Sequence, residues 1–456
     1  MHSLYWSDKV IERWFYMKIT AIKYRDARKD GVLERYTRHY TDHKSLNMVE
    51  TLTQNRLSDF TDKILCRTST DNGHTWSEWE NSFDISATNA SQGNHQINYT
   101  EGYNGGGIIW NPVHKHYIKF SFQRIFINGY QNAEKKYWEG DSSDLVDHTF
   151  IEVYNDDEIL YKEMIKYQDG PEFDSKNWAN PNYIKSNRCI FQGNAFCEPN
   201  GDIMFCLEAP MRVCCELACK DILDVFPSYP DFPNGIIVFR GVWNGQRYDI
   251  SPSRPIIISD ILSSRGLNEP AMAKLSSGRI VVIMRGANHH SPEWTKKRIA
   301  PGTPAVKWYA WSDDNGKTFT DPMPWHFDDG EIIYSSGSYS KIILDERTGK
   351  HYWIGNITEY GSGTAATDFA SNYFRYPLNI VEIDETYGTA KKESHKIIDD
   401  RREGESKWIQ LSNFDIIQNR ETGNFEITLS KCGQFSPTPV ENPFEAEVWR
   451  YIIELD

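Results

Sequence analysis

A repeated eight-residue pattern constrains the fold of this chain more than any other feature. Residues 69–76 read STDNGHTW and residues 312–319 read SDDNGKTF, so both follow S-x-D-x-G-x-T-[WF]. A strand-like run precedes each copy, at 63–68 and 306–311. Asn-Gly tolerates positive φ in a tight turn, and the Asp carboxylate can accept backbone N–H groups there. Each copy therefore predicts a β-hairpin turn within a repeated antiparallel architecture.

Further turns of this kind are spread along the chain. An N-G, S-G or T-G pair separates apolar runs in four more segments, Cys197–Cys206, Ala273–Met284, Leu344–Ile354 and Ile416–Leu429. Helical periodicity is scarce, and Cys215–Val225 is its best candidate. No long Pro-, Gly- or Ser-rich linker divides the 456 residues. One closed, all-β domain over 1–456 therefore accounts for the length better than two domains.

The composition favours a carbohydrate ligand over nucleic acid. Aromatic residues make up 14% of the chain, which is typical of all-β folds and of surfaces that stack on sugar rings. The net charge of -14 argues against nucleic acid, because phosphate binding needs concentrated Lys and Arg. The simplest role of this charge is solubility, and local Arg residues can still hold an acidic ligand.

The sequence contains no membrane span or secretion signal. No apolar run approaches the roughly twenty residues that a spanning helix needs. Residues 1–20 lack both an uninterrupted apolar region and a small-residue cleavage site. Two locations remain open: the inside of the cell, or the outside if a signal has been removed.

The cysteines predict neither a metal site nor a cofactor. Six of the eight lie between Cys189 and Cys219, but their spacing fits no standard zinc pattern. Buried or strand-facing free thiols are the first expectation, a disulfide the second and a metal site the last.

The repeated pattern resembles the Asp box of sialidases and related β-propeller proteins. This resemblance implies a propeller of four-stranded antiparallel blades, with six blades expected and seven compatible with the length. It also implies that the boxes lie at the blade periphery and are structural. The last 190 or so residues, from Arg265 onward, resemble bacterial sialidase-like proteins in segments such as RGLNEPAMAKL and FRYPLNIVEID.

One hairpin carries the main candidate site. In NEPAMAKLSSGRIVVIMRG, Glu269 leads into a strand and Arg285 ends the next, so both are expected at one end of adjacent strands. The segment resembles the sialidase stretch that joins a Glu to one Arg of the carboxylate-binding cluster. Tyr339, in GSYSK, resembles the sialidase Tyr nucleophile, for which Glu269 would be the base. A phenol needs such a base because its pKa is about 10.

The remaining candidates also follow from the resemblance. Asp59 stands about ten residues before the first box, with Asp62 beside it, and corresponds to the sialidase acid/base Asp. Arg35 stands where the first sialidase Arg is expected, and Arg375 could supply another guanidinium. The usual Arg-Ile-Pro sequence is absent, and only Arg298 lies where the third Arg is expected, in a different context. The full set of three arginines that binds the substrate carboxylate in sialidases is thus not evident.

The expected function is hydrolysis of the glycosidic bond to a terminal, acidic sugar, without metal or cofactor. A polysaccharide lyase acting on a uronic-acid glycan is the first alternative, with His95 in GNHQ as a proton-transferring or substrate-binding residue. Other histidines that could serve a lyase are His114, His116, His289 and His290. A non-catalytic glycan-binding propeller is the second alternative, because Asp boxes stabilise blades whatever the centre does.

Overall fold

The fold is described from a computed structural model of the chain. It describes residues 17–28, 31–56, 60–84, 92–101, 108–138, 143–156, 158–227, 234–286, 305–358, 374–438 and 444–455, with side chains omitted at 98–101, 137 and 138. The candidates Asp59, His289, His290 and Arg298 lie outside the described residues.

The described strands form six antiparallel sheets, which are the blades of a β-propeller. Blade 1 comprises β2 (Leu33–Tyr40), β3 (Met48–Asn55), β4 (Lys63–Ser69) and β5 (Glu80–Asp84). Blade 2 comprises β6 (Gln96–Glu101), β7 (Ile109–Asn111), β8 (His116–Phe126), β9 (Leu145–Tyr154) and β10 (Ile159–Met164). Blade 3 comprises β11 (Ala195–Cys197), β12 (Ile203–Pro210), β13 (Asn234–Trp243) and β14 (Tyr248–Pro252). The prediction of six four-stranded blades is confirmed, with the variation that β6 and β7 share the inner position of blade 2.

The remaining blades complete the ring. Blade 4 comprises β15 (Leu267–Lys274), β16 (Ile280–Gly286), β17 (Lys307–Ser312) and β18 (Met323–Pro324). Blade 5 comprises β19 (Lys341–Asp345), β20 (Lys350–Asn356), β21 (Leu378–Glu382) and β22 (Lys396–Asp399). Blade 6 combines β23 (Asp415–Gln418), β24 (Phe425–Ser430) and β25 (Glu447–Leu455) with β1 (Met17–Asp26) from the other end of the chain. That one domain spans all of 1–456 stays a prediction.

Blade 6 joins the two ends of the chain. Strand β1 pairs antiparallel with β25, with Met17 opposite Leu455 and Asp26 opposite Glu447. Strand β1 also contacts blade 1, since Arg25 bonds to buried Glu34 and the Tyr24 hydroxyl donates to Glu50. One strand therefore both completes blade 6 and connects it to the first blade.

Helices are few and short within the described residues: α1 (Tyr130–Trp138), α2 (Pro181–Lys185), α3 (Met211–Leu217) and α4 (Ile222–Val225). The single helix expected over Cys215–Val225 is instead divided between α3 and α4. Cys219 has a φ of 53°, which ends helical geometry, and the Asp221 side chain then caps α4 by accepting the N–H of Leu223. None of the helices in the described part of the chain is long and apolar enough to cross a membrane.

The two repeated turns have the same hydrogen bonds. Asp71 accepts the N–H and hydroxyl of Thr75, and Asp314 accepts those of Thr318. The Oγ of Ser69 or Ser312 accepts the N–H of the Gly four residues later. The expected hairpins are thus present, between the third and fourth strands of blades 1 and 4.

Replacing Asp314 by Ala is expected to destabilise the protein by about 1–2 kcal/mol, because the turn then leaves the N–H groups of Lys317 and Thr318 without their acceptor. Thermal unfolding of the variant measures this effect. Asp321→Ala, an exposed aspartate in the same blade, is the matched control and should change stability by less than about 0.5 kcal/mol. Equal effects of the two substitutions would contradict a stabilising role for the turn.

All eight cysteines are free thiols, and those between Cys189 and Cys215 are buried or lie in a strand as expected, whereas Cys219 is exposed after α3. Cys189, Cys206, Cys214 and Cys215 are buried in the core that spans blades 2 to 4. Burial raises the pKa of Cys189 to about 11 and that of Cys206 to about 12, so both thiols stay protonated and pack as small apolar groups.

Candidate functional site

The candidate site lies where the strands of blade 4 meet at one end of the propeller. The register places Asn268 opposite Arg285, and Arg285 opposite Lys307. Strand β15 therefore begins, β16 ends and β17 begins at this end, here called the upper face. The repeated turn at 312–319 follows the other end of β17. The candidate residues and the turn thus lie at opposite ends of the strands of blade 4.

Glu269 and Arg285 form an ion pair at the upper face. The Nη1 of Arg285 donates to Oε1 of Glu269 at 2.8 Å, and the two side chains are 13% and 17% exposed, respectively. The second oxygen of Glu269, Oε2, is buried and has no hydrogen-bond partner among the described residues. The pair therefore presents a carboxylate oxygen that can accept a proton, next to a fixed positive charge.

A second carboxyl group, that of Glu208 near the end of β12, contacts the backbone of Glu269. Its Oε1 accepts the backbone N–H of Glu269 at 2.7 Å, and its Oε2 accepts Nδ2 of Asn234 at 3.2 Å. Burial raises the pKa of Glu208 to about 8, and the charge of Glu269 acts in the same direction, against Arg285. Glu208 is therefore mostly protonated at pH 7.

Lys307 contributes a fully buried amine to the same site. It begins β17, and its Nζ donates to the carbonyl oxygen of Ser338, the residue before Tyr339. Burial lowers the pKa of Lys307 to about 7; Glu269 opposes this change, while Arg285 and Arg375 add to it. Lys307 therefore connects blade 4 to the segment that holds the candidate nucleophile.

Tyr339 lies immediately before β19 and is only 4% exposed. Its ring centroid is 5.7 Å from that of Phe414, and the Nζ of Lys341 is 5.9 Å from the ring centroid. The ring belongs to the apolar cluster between blades 5 and 6. Packing therefore fixes the ring, which a positioned nucleophile requires.

Two further arginines belong to segments of the upper face. Arg375 precedes β21, and its Nη1 donates to Oε1 of Gln410 at 2.9 Å. Arg375 is close enough to Lys307 for its charge to lower the lysine pKa. Arg35 lies near the start of β2, opposite Thr53, and is half-buried. Both stay predicted substrate-binding residues.

The other candidates have local roles in the described structure. The Nδ1 of His95 accepts the backbone N–H of Asn128 at 3.1 Å, which fixes the turn before β6. Asp62 is the neighbour considered with Asp59. Its Oδ1 accepts a hydrogen bond from Nη2 of Arg56 at 2.9 Å and one from the Tyr130 hydroxyl at 2.8 Å. Asp62 is therefore engaged in a structural ion pair, and a catalytic role for Asp59 or His95 stays a prediction.

Glu208 and Lys307 were not among the predicted site residues. Each is a charged residue within an apolar strand, in IMFCLEAP and KWYAWS respectively, and this contrast was the available signal. No group of three or more His, Cys, Asp and Glu side chains in the described ranges is arranged to hold a metal ion. The site therefore offers carboxyl and cationic groups for acid–base chemistry and anion binding.

No family model matches the sequence, and no curated protein matches it. Among solved structures, a Dyadobacter fermentans protein of unknown function is similar over 96% of this chain and 99% of its own, with 12% identity and a TM-score of 0.53. NanB with Optactamide is similar over 95% of this chain and 70% of its own, with 11% identity and a TM-score of 0.51. The fold is a sialidase-like β-propeller.

The chain spans only part of the length of some structural neighbours. The Trypanosoma rangeli sialidase is similar over 92% of this chain but only 55% of its own length, with 10% identity and a TM-score of 0.47. The chain thus spans about half the length of that protein. At sequence identities this low, the structural similarity supports the propeller fold only. The activity has to be argued from the residues of the site.

Proposed function

We propose that the chain is a sialidase-like exo-glycosidase that hydrolyses the bond to a terminal sugar bearing a carboxylate. The observation that carries this proposal is the Glu269–Arg285 pair, with Lys307 and Arg375 within electrostatic reach. Because Glu208 is mostly neutral at pH 7, the two guanidinium groups of Arg285 and Arg375 outnumber the single paired carboxylate of Glu269, even without the charge of Lys307. Such a site suits an anionic sugar in an otherwise acidic protein.

The proposed reaction assigns each candidate a role by its resemblance to sialidases. Glu269 takes the phenolic proton, and the Tyr339 oxygen attacks the anomeric carbon while Asp59 protonates the leaving oxygen. Water, deprotonated by Asp59, then displaces the tyrosine oxygen, which recovers its proton from Glu269. The sugar leaves with its original anomeric configuration. Arg285, Arg375 and Arg35 would bind the substrate carboxylate.

The test is a product analysis of the wild-type protein on sialylated, uronic-acid and neutral glycans. Mass spectrometry is expected to find a released terminal acidic sugar that has gained one water. Converting the sugar carboxylate to its methyl ester gives a matched control substrate. This ester should react at least about 10-fold more slowly, because it loses the charge-assisted bonds to the arginines.

Other products would overturn the proposal in defined ways. A product that absorbs in the ultraviolet as an unsaturated uronate, without added water, would make the protein a lyase and direct mutagenesis to His95. Equal rates on the acid and its ester would exclude carboxylate recognition. Glycan binding without turnover on the whole panel would favour a non-catalytic propeller.

A further inference from the structure

The contact between blades 3 and 4 connects one buried carboxyl group to two consecutive residues of β15, to Glu269 directly and to Asn268 through Asn234. Glu208 is 4% exposed and accepts the backbone N–H of Glu269. It also accepts Nδ2 of Asn234, which donates in turn to Oδ1 of Asn268 at 3.2 Å. Blade 3 therefore fixes the position of the blade 4 segment that carries Glu269.

Glu269 has an unusual backbone conformation at this contact. Its φ is 45°, in the left-handed region that residues with a Cβ rarely adopt. The β15–β16 register also shifts between Asn268 and Ala271, so Glu269 belongs to a β-bulge. Bulges redirect side chains, and an unfavourable φ persists only where the surroundings hold it. The bond from its own N–H to Glu208 is the contact that can do so.

We propose that Glu208 is the positioning residue that holds Glu269 in this left-handed bulge with its carboxylate on Arg285. The proposal deepens the function proposed above and rests on it for the catalytic role of Glu269. Glu208 contacts the backbone N–H of Glu269, whereas the Glu269 carboxylate contacts Arg285. Glu208 acts through the backbone of Glu269. By holding that backbone, it sets the distance between the Glu269 carboxylate and the Tyr339 phenol.

The charge of Glu208 matters for this role. The ionisable groups that face it are Glu269 and Arg285 from blade 4 and Cys206 from its own strand. A protonated Glu208 does not repel the Glu269 carboxylate, whereas an ionised one does. Since burial raises its pKa to about 8, above that of an unfolded glutamate, the folded protein retains this proton more strongly. The resulting stabilisation is full below the unfolded pKa and is lost as the pH rises through about 8.

Two substitutions separate positioning from charge. Glu208→Leu removes the acceptor, and kcat is expected to fall about 100-fold with little change in KM, because a small displacement of a base has this effect. Glu208→Gln keeps an acceptor and cannot ionise. This variant is expected to restore most of kcat at pH 7. Wild type is expected to lose activity above pH 8, where Glu208 ionises, and the Gln variant is expected to lack this loss.

Glu198→Gln is the matched control. Glu198 is a buried glutamate of blade 3 that also contacts blade 4, through Lys274, but it lies beyond β11, away from the upper face. Its replacement can lower the melting temperature but should leave the pH profile of kcat unchanged. A profile altered to the same degree in both Gln variants would overturn the specific role of Glu208.

Two measurements decide the proposal without turnover. The first is the melting temperature, which should fall more between pH 7 and pH 9 in wild type than in Glu208→Gln. The second is a crystal structure of Glu208→Leu, in which the φ of Glu269 should no longer lie in the left-handed region. If wild type hydrolyses nothing while both results hold, the proposed function fails but the positioning stands. An unchanged Glu269 in the Leu variant, or identical pH dependence of wild type and the Gln variant, overturns it. The Gln variant decides the matter if the Leu variant does not fold.

Discussion

Replacing Tyr339 by Phe is expected to lower kcat on the acidic-sugar substrate by at least about 10³-fold, because the substitution removes the proposed nucleophile. The ring itself should stay in place. It is 4% exposed and packs on Phe414, and Phe preserves these contacts. KM and the melting temperature should therefore change little, and the loss should appear in kcat.

Tyr352→Phe is the matched control for this experiment. Tyr352 is 3% exposed and belongs to the same apolar cluster, but it lies near the start of β20, far along the blade from the upper face. The same chemical change there should leave kcat within about 3-fold of wild type. Steady-state kinetics on one fluorogenic substrate compares all three proteins. Wild-type kcat in Tyr339→Phe would exclude this tyrosine as the nucleophile.

Removing residues 1–26 is expected to lower the melting temperature by about 10 °C or more and to cause aggregation. The deletion removes β1, so β25 becomes an unpaired edge strand of blade 6. It also removes the contacts of Tyr24 and Arg25 with blade 1. A shorter deletion that begins the chain at Met17 retains β1 and serves as the control.

A peptide can test whether the strand itself is responsible. A synthetic peptide of residues 17–26, MKITAIKYRD, should bind the truncated protein and raise its melting temperature, because the pairing with β25 is antiparallel and continuous apart from one irregularity near Lys23. A peptide of the same composition in scrambled order should not. If truncation leaves the melting temperature and the oligomeric state unchanged, β1 does not close the ring.

The fold was predictable because its signals are local. The two turns at 69–76 and 312–319 and the four weaker hairpins depend on residues close together in sequence, and each of these hairpins is present. The pairing of β1 with β25 was not predictable in this way, because no short-range pattern joins the two ends of a chain. The division of the expected helix at Cys219 depends on a single left-handed residue, which helical periodicity does not reveal.

The same distinction between local and long-range contacts applies to the residues of the candidate site. Glu269 and Arg285 belong to one hairpin. Their position at the same end of the two strands therefore follows from the pairing of those strands alone. Glu208 reaches the site through a contact between blades, and Lys307 reaches it from a neighbouring strand. Burial is the largest cause of the pKa change of each group, and the charges of Glu269 and Arg285 also contribute. Such long-range contacts become visible only once the blades are arranged around the ring.

The pairing of the two ends of the chain also affects how the protein is made. During synthesis β1 leaves the ribosome before the other described strands of the propeller, and its partner β25 leaves after them. At about 5–20 residues per second, Asp26 is synthesised about 20 to 85 s before Glu447, its partner in the register. Throughout that interval a strand edge is exposed on the nascent chain, which makes the early chain a natural client for chaperones that bind extended segments.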